Sequence, residues 1–144
     1  MISIDEIMVT DLVTLTADDS LATAMKVMGE RGIRHLPIVK DDGSLYGLVT
    51  QSDVLAASAS NLSGREPERK PSEIRIGEFM IRDVATVDER ASLRQAAIFL
   101  QKHKYGCLPI VTDGELRGIV TDTDFISVAI NLLEQLELTE PEEL

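Results

Sequence analysis

Leu36-Pro37-Ile38-Val39, followed by Gly47-Leu48-Val49-Thr50-Gln51-Ser52-Asp53, is written twice in this chain. The second version reads Leu108-Pro109-Ile110-Val111 and Gly118-Ile119-Val120-Thr121-Asp122-Thr123-Asp124. The repetition extends outward from these stretches. Ile4, Glu6, Met8, Asp11, Thr14, Ser20, Leu21 and Ala24 recur 72 positions later as Ile76, Glu78, Met80, Asp83, Thr86, Ser92, Leu93 and Ala96. One residue is lost in a turn, and Gly43 and Leu45 then match Gly114 and Leu116. Self-similarity of this extent means two copies of one supersecondary unit.

Within each copy the hydrophobic period changes in a fixed order. Leu21, Ala24, Met25 and Met28 fall at i, i+3, i+4 and i+7 behind Asp18, Asp19 and Ser20, and Leu93, Ala96, Ala97 and Leu100 repeat that spacing behind Ser92. Both predict capped amphipathic helices. Short β-rich runs come next, residues 36–39 and 45–50 across Asp42-Gly43, then 108–112 and 116–121 across Asp113-Gly114. Asp-Gly is a favoured hairpin dipeptide. A helix follows each hairpin; in the second, Phe125, Val128, Ala129, Leu132, Leu133 and Leu136 form one broad apolar stripe. A short strand around 13–15, matched at 85–87, precedes the first helix of each copy. The expected class is α/β of the α+β type, two β-α-β-β-α repeats packed sheet to sheet about a pseudo-twofold axis, because a one-sided unit this small cannot bury its apolar face alone.

The expected organisation is a first repeat over residues 1–60, an exposed linker over 61–75, a second repeat over 76–138 and an acidic tail over 139–144. The linker expectation rests on Gly64, Pro67 and Pro71 among alternating charges. Ala96-Ala97-Ile98-Phe99-Leu100 is too continuously apolar for one core and predicts a second covered face, most simply in a homodimer.

Composition removes several function classes. The 144 residues carry 14 Lys+Arg against 25 Asp+Glu, a formal net charge of −11, without the clustered basic face that nucleic acid requires. No apolar run approaches the roughly 20 residues of a membrane span. Residues 1–9 contain Asp5 and Glu6 where a signal peptide wants basic residues, so a cytoplasmic location is expected. Cys107 is the sole cysteine, which excludes an intramolecular disulfide and a cysteine zinc cluster. No P-loop or nucleophile elbow is present and no Cys-His pair recurs, so catalysis is not expected.

Two features could carry binding chemistry. Thr-x-x-Asp at a helix start has capping-box spacing, and in that reading the glycine before it serves only to relieve crowding. The same turn can present helix N–H groups and a hydroxyl to an anion, with the carboxylate accepting from a ribose diol. The two readings are compatible. A proline inside each first strand lacks a donor, which predicts an edge or bulge with free backbone groups between aliphatic side chains, suited to a purine.

Together, the hydrophobic-Pro-hydrophobic strands, the Gly-aliphatic-aliphatic-Thr-x-x-Asp turns and their tandem spacing resemble the cystathionine-β-synthase (CBS) domain family over almost the whole chain outside linker and tail. The resemblance implies a paired module, often dimeric, whose clefts bind AMP, ADP, ATP or S-adenosylmethionine, with Mg2+ accompanying ATP and no obligatory cofactor. It further implies a regulatory role toward an enzyme or transporter; the alternative is an interaction scaffold of the same fold with vestigial pockets. Carried over by motif, Thr50 and Asp53 take phosphate and ribose in the first cleft, with Ile33, Arg34, His35, Leu36 and Pro37 around the base. Thr121 and Asp124 do so in the second, beside Tyr105, Gly106, Cys107, Leu108 and Pro109, and Thr14 and Thr86 are further contact positions. Arg31, Arg34 and His35 flank the first cleft, against Lys102, His103 and Lys104 near the second. The first is therefore expected to bind phosphates better.

Overall fold

Ser20 and Ser92 open the first helix of each repeat as the spacing requires. Each hydroxyl accepts from a backbone N–H three residues on, Thr23 in one case and Gln95 in the other, both at 3.1 Å. The computed structural model describes residues 3–61 and 69–139; the acidic tail beyond 139 and residues 62–68 of the expected linker lie outside them. Helix α1 (Leu21–Arg31) ends at Gly32 in the left-handed conformation (φ 63°). Strands β1 (His35–Val39) and β2 (Leu45–Thr50) and helix α2 (Gln51–Asn61) complete the first repeat. The second repeats the order in α3 (Leu93–Lys102), β3 (Cys107–Thr112), β4 (Glu115–Thr121) and α4 (Asp122–Thr139).

Each hairpin forms a two-stranded antiparallel sheet with a register shift after Ile38 and after Ile110. Thr112 pairs with Glu115 across Asp113-Gly114, both with positive φ (52° and 78°), the two-residue turn that matches strand twist. The first hairpin differs. Its loop is longer, closed by Lys40 N–H to the Ser44 carbonyl at 2.9 Å, with Asp42 accepting from the Ser44 N–H at 2.9 Å.

The strands expected at 13–15 and 85–87 contract to single parallel bridges, Leu15 to Ile38 and Val87 to Ile110. These bridges change the expectation for the prolines. The Pro37 carbonyl accepts from Leu15 N–H and the Pro109 carbonyl from Val87 N–H, both at 3.2 Å, so neither proline lies on an open edge. The missing N–H of proline faces the bridge side, where no ladder bond is lost.

The two repeats interlock. Val9 bridges to Ile119 of β4, and Ile81 bridges to Leu48 of β2, each through a pair of backbone hydrogen bonds of 2.8 and 3.0 Å. Short 3-10 turns at Ile4–Glu6 and Ile76–Glu78 cross over in the same way. Ile4 packs with Val87, Ala96, Leu108, Ile110 and Val120, whereas Ile74, Ile76 and Met80 pack with Leu21, Ala24, Leu36, Ile38 and Val49. Each core thus contains a segment of the other repeat. Burying one isoleucine stabilises by about 1.5–3 kcal/mol, so Ile4 and Ile76, both fully buried, tie the halves together.

Gly47 and Gly118 sit at these crossings. A Cβ on Gly47 would lie 2.7 Å from the Ile81 carbonyl oxygen and 2.9 Å from Met80 Sδ; on Gly118 it would meet the Val9 oxygen at 2.7 Å and Met8 Sδ at 2.9 Å. The glycine of each motif therefore permits close approach of the opposite repeat.

Candidate functional site

Both Thr-x-x-Asp turns form the capping geometry. Asp53 Oδ2 accepts from Thr50 N–H and Thr50 Oγ1–H, both at 2.8 Å, while Asp53 N–H donates to Thr50 Oγ1 at 3.2 Å. In the second repeat Asp124 Oδ2 accepts from Thr121 N–H at 2.9 Å and Oγ1–H at 3.2 Å, and Asp124 N–H returns a bond of 3.3 Å. The cap consumes one carboxylate oxygen and the hydroxyl proton. Oδ1 of each aspartate takes no part in the cap, and the threonine hydroxyl can meet an anion only by giving up its carboxylate.

A cavity of about 850 Å³ opens between the repeats, within the usual size range of small-molecule sites. Its apolar wall consists of Val9, Leu12, Val13, Ile33, Pro37, Ile81 and Ile119; its polar wall includes Asp11, Arg34, His35, Thr50, Gln51, Ser52 and Asp53 from the first repeat. The second repeat adds Lys104, Tyr105, Gly106, Thr121, Asp122 and Thr123. Of the sequence candidates, Ile33, Arg34, His35, Pro37, Thr50, Asp53, Tyr105, Gly106 and Thr121 line this one space. Asp124 stands behind Thr121, held by the cap, and does not line it. Leu36, Cys107, Leu108 and Pro109 are buried in the strands, and Thr14 and Thr86 are exposed next to the Leu15 and Val87 bridges. Among the flanking cations only Arg34 and Lys104 join His35 on the wall. His103 instead stacks between Phe99 and Tyr105, with ring centroids 5.7 and 5.9 Å away.

His35 joins the two sides. Its Nε2–H donates to the Tyr105 carbonyl at 2.8 Å. Burial lowers the imidazole pKa below its ordinary 6.5, against the raising effects of the Tyr105 bond and Asp122; Arg34 adds to the lowering. A neutral His35 is left at neutral pH. Burial, with Asp124 and Asp122 nearby, pushes the Cys107 thiol up to about 12, so it packs as an apolar group and is no nucleophile.

Sequence reasoning missed Val9, Ile81 and Ile119, which isolated bridges between the repeats bring to the cavity, and Asp11, Leu12 and Val13, which lie between the Val9 and Leu15 bridges. It also passed over Asp122, which aligning Gln51 with its counterpart would have singled out.

Two interlocked α-β-β-α repeats around a cleft lined by both define a paired-repeat module. The CBS domain pattern matches residues 4–60 and 76–131, and the chain belongs to the CBS domain family. AcuB from Vibrio cholerae, a protein tied by name to acetoin utilization, is 42% identical with a TM-score of 0.83 over 95% of this chain and 98% of its own. The CBS domain pair of protein MJ0100, solved with 5-methylthioadenosine and S-adenosyl-L-methionine, is 28% identical with a TM-score of 0.80, covering 92% of this chain and 98% of its own. A 33.4 kDa protein in a ribosomal RNA operon of Thermofilum pendens is 34% identical over 130 residues, 88% of this chain; the chain spans 43% of that relative's length. Among the described residues, no helix is long and apolar enough to cross a membrane.

Proposed function

We propose that this module binds an adenosyl ligand, AMP, ADP, ATP or S-adenosylmethionine, in the cavity between its repeats and passes the bound state to a partner. The observation that carries this reading is the convergence of Asp53, Thr50 and Arg34 with an aliphatic wall on one 850 Å³ space. A purine fits between Ile33, Leu12, Val13 and Pro37, a ribose diol donates to Asp53 Oδ1, and Arg34 supplies the local cation that a phosphate needs on an acidic chain. Mg2+ belongs to the triphosphate in this reading, carried in on ATP. The adenosyl compounds bound by the MJ0100 pair support the ligand class.

A bound ligand changes a partner only if two arrangements of the module hold it with different affinity. Leu55, Ile98, Ile126, Ile130, Leu133 and Leu136 are about half or more exposed on the helices, and a second copy of the chain is the simplest cover for them. In this reading the dimer, or a regulated enzyme or transporter, receives the signal. The likeness to AcuB makes acetoin utilization the process to test first, by growth on acetoin of a strain lacking the gene. Thermal shift with AMP, ATP, S-adenosylmethionine and NAD tests the binding claim. At least one adenosyl compound is expected to raise the melting temperature in proportion to the logarithm of its concentration above Kd. No rise with any of the four overturns the proposal in favour of a scaffold with vestigial pockets.

A further inference from the structure

The two repeats place opposite chemistry at equivalent backbone positions beside the cavity. In the first, Gln51 N–H donates to the Arg34 carbonyl at 2.8 Å; in the second, Asp122 N–H donates to the Gly106 carbonyl at 3.1 Å. All four residues line the one cavity; its side at Arg34 and residues 50–53 is the first cleft and its side at Gly106 and residues 121–123 the second. The same junction of strand and helix thus carries a guanidinium and a neutral amide on one side, but no side chain and a carboxylate on the other.

The difference is fixed by the backbone. Gly106 has φ +71°, a conformation that L side chains rarely adopt, so an arginine is not readily placed there. A Cβ at that position would also lie 3.3 Å from Asp122 Oδ2 and 3.5 Å from His35 Nε2. Asp122 Oδ1 in turn accepts from Thr123 N–H at 2.9 Å. That N–H belongs to the first turn of α4, where a phosphate oxygen would seek its donors. The carboxylate therefore repels an anion and occupies one of the groups that could hold it. Lys104 lines the same cavity and, like Arg34, is exposed, so each side has one solvated cation and the carboxylate of Asp122 against the amide of Gln51 is what distinguishes them.

We propose that Asp122 reserves the second cleft for an adenosyl ligand without a phosphate, a neutral nucleoside or thioether or a cationic sulfonium, leaving phosphorylated ligands to the first. This rests on the adenosyl reading above. Titration calorimetry on the full chain with adenosine and AMP as probes tests it, using Asp53→Ala to weaken the first cleft. The readout is the ratio of AMP to adenosine affinity. In Asp53→Ala the ratio is expected below one, and adding Asp122→Asn raises it about tenfold as one repulsive charge is removed. The reciprocal Gln51→Asp, in an otherwise unmutated chain, is expected to lower the ratio at the first cleft about tenfold. Ratios that stay put in both pairs overturn the role of Asp122 while adenosyl binding stands; no binding of either probe to the unmutated chain overturns both. A crystal of the unmutated chain grown with AMP gives a check independent of mutant folding. Phosphate density at the first cleft alone supports the proposal, and a phosphate seated beside Asp122 defeats it.

Discussion

The two Thr-x-x-Asp turns have nearly superimposable local geometry and unlike surroundings. Their cap bonds agree to within 0.4 Å, yet Asp53 lines the cavity and Asp124 does not. A capping box is a local device and copies faithfully through duplication. Whether its carboxylate also faces a ligand depends on neighbouring loops and charges, which the copies are free to change. Symmetry of the backbone therefore says little about symmetry of binding, and function resides in the site rather than the fold.

The largest test of that contrast is the pair Asp53→Ala and Asp124→Ala. Removing Asp53 deletes a charged acceptor for two hydroxyls, each bond worth about 1.5–3 kcal/mol, so AMP affinity at the first cleft is expected to fall by about 100-fold or more. Asp124→Ala is expected to leave AMP affinity at the first cleft within about threefold, because the residues are separated by the cavity wall and share no partner. Each variant also loses a helix cap, costing about 1 kcal/mol of stability, and that cost should be equal in the two. Calorimetry and chemical denaturation read the two effects separately. Equal losses of AMP affinity would erase the distinction between the clefts.

Where the copies should not differ is at their crossings. Gly47→Ala and Gly118→Ala each drive a methyl group into a carbonyl oxygen 2.7 Å away and a methionine sulfur at 2.9 Å. The sulfur can swing aside; the carbonyl belongs to the bridge that joins the repeats. Each substitution is expected to cost about 2 kcal/mol, as overpacking does elsewhere. Urea denaturation checks this. A neutral result at one glycine and not the other would show that the two bridges bear unequal shares of the link.

Local signals were legible because they depend on neighbours in the chain. Asp113-Gly114 announces its hairpin, Ser20 and Ser92 announce their helices, and the apolar spacing places α1 and α3. The exchange of Ile4 and Ile76 between cores was not legible. It depends on single-residue bridges at Val9 and Ile81, too short to leave any periodicity, and on an Ile in a 3-10 turn whose destination no spacing specifies. The candidate site divides along the same line. Thr50, Asp53, Arg34 and His35 belong to repeated motifs and could be read, whereas Leu12, Val13 and Ile119 enter through long-range packing. Proline misled for a related reason: its absent donor was visible, and the Leu15 bridge that covers its carbonyl was not.

The smallest effect sharpens the contrast between His35 and its counterpart Cys107, which has no titration near neutrality. Because burial holds the His35 pKa below 6.5 in the folded chain, the unfolded chain takes up a proton first as pH falls. Stability attributable to His35 is therefore full above pH 6.5, declines as pH passes downward through that value, and levels off below the folded pKa. His35→Gln retains an amide donor for the Tyr105 carbonyl but cannot titrate. Its melting temperature should follow that of the unmutated chain less steeply between neutral pH and mild acid, so that the difference between them shifts in favour of the variant as pH falls. Asp122 opposes this trend by favouring the protonated ring, and Asp122→Asn should steepen it. Parallel curves for the unmutated chain and His35→Gln would mean that the bridge between the two sides of the cleft is not where the acid sensitivity lies.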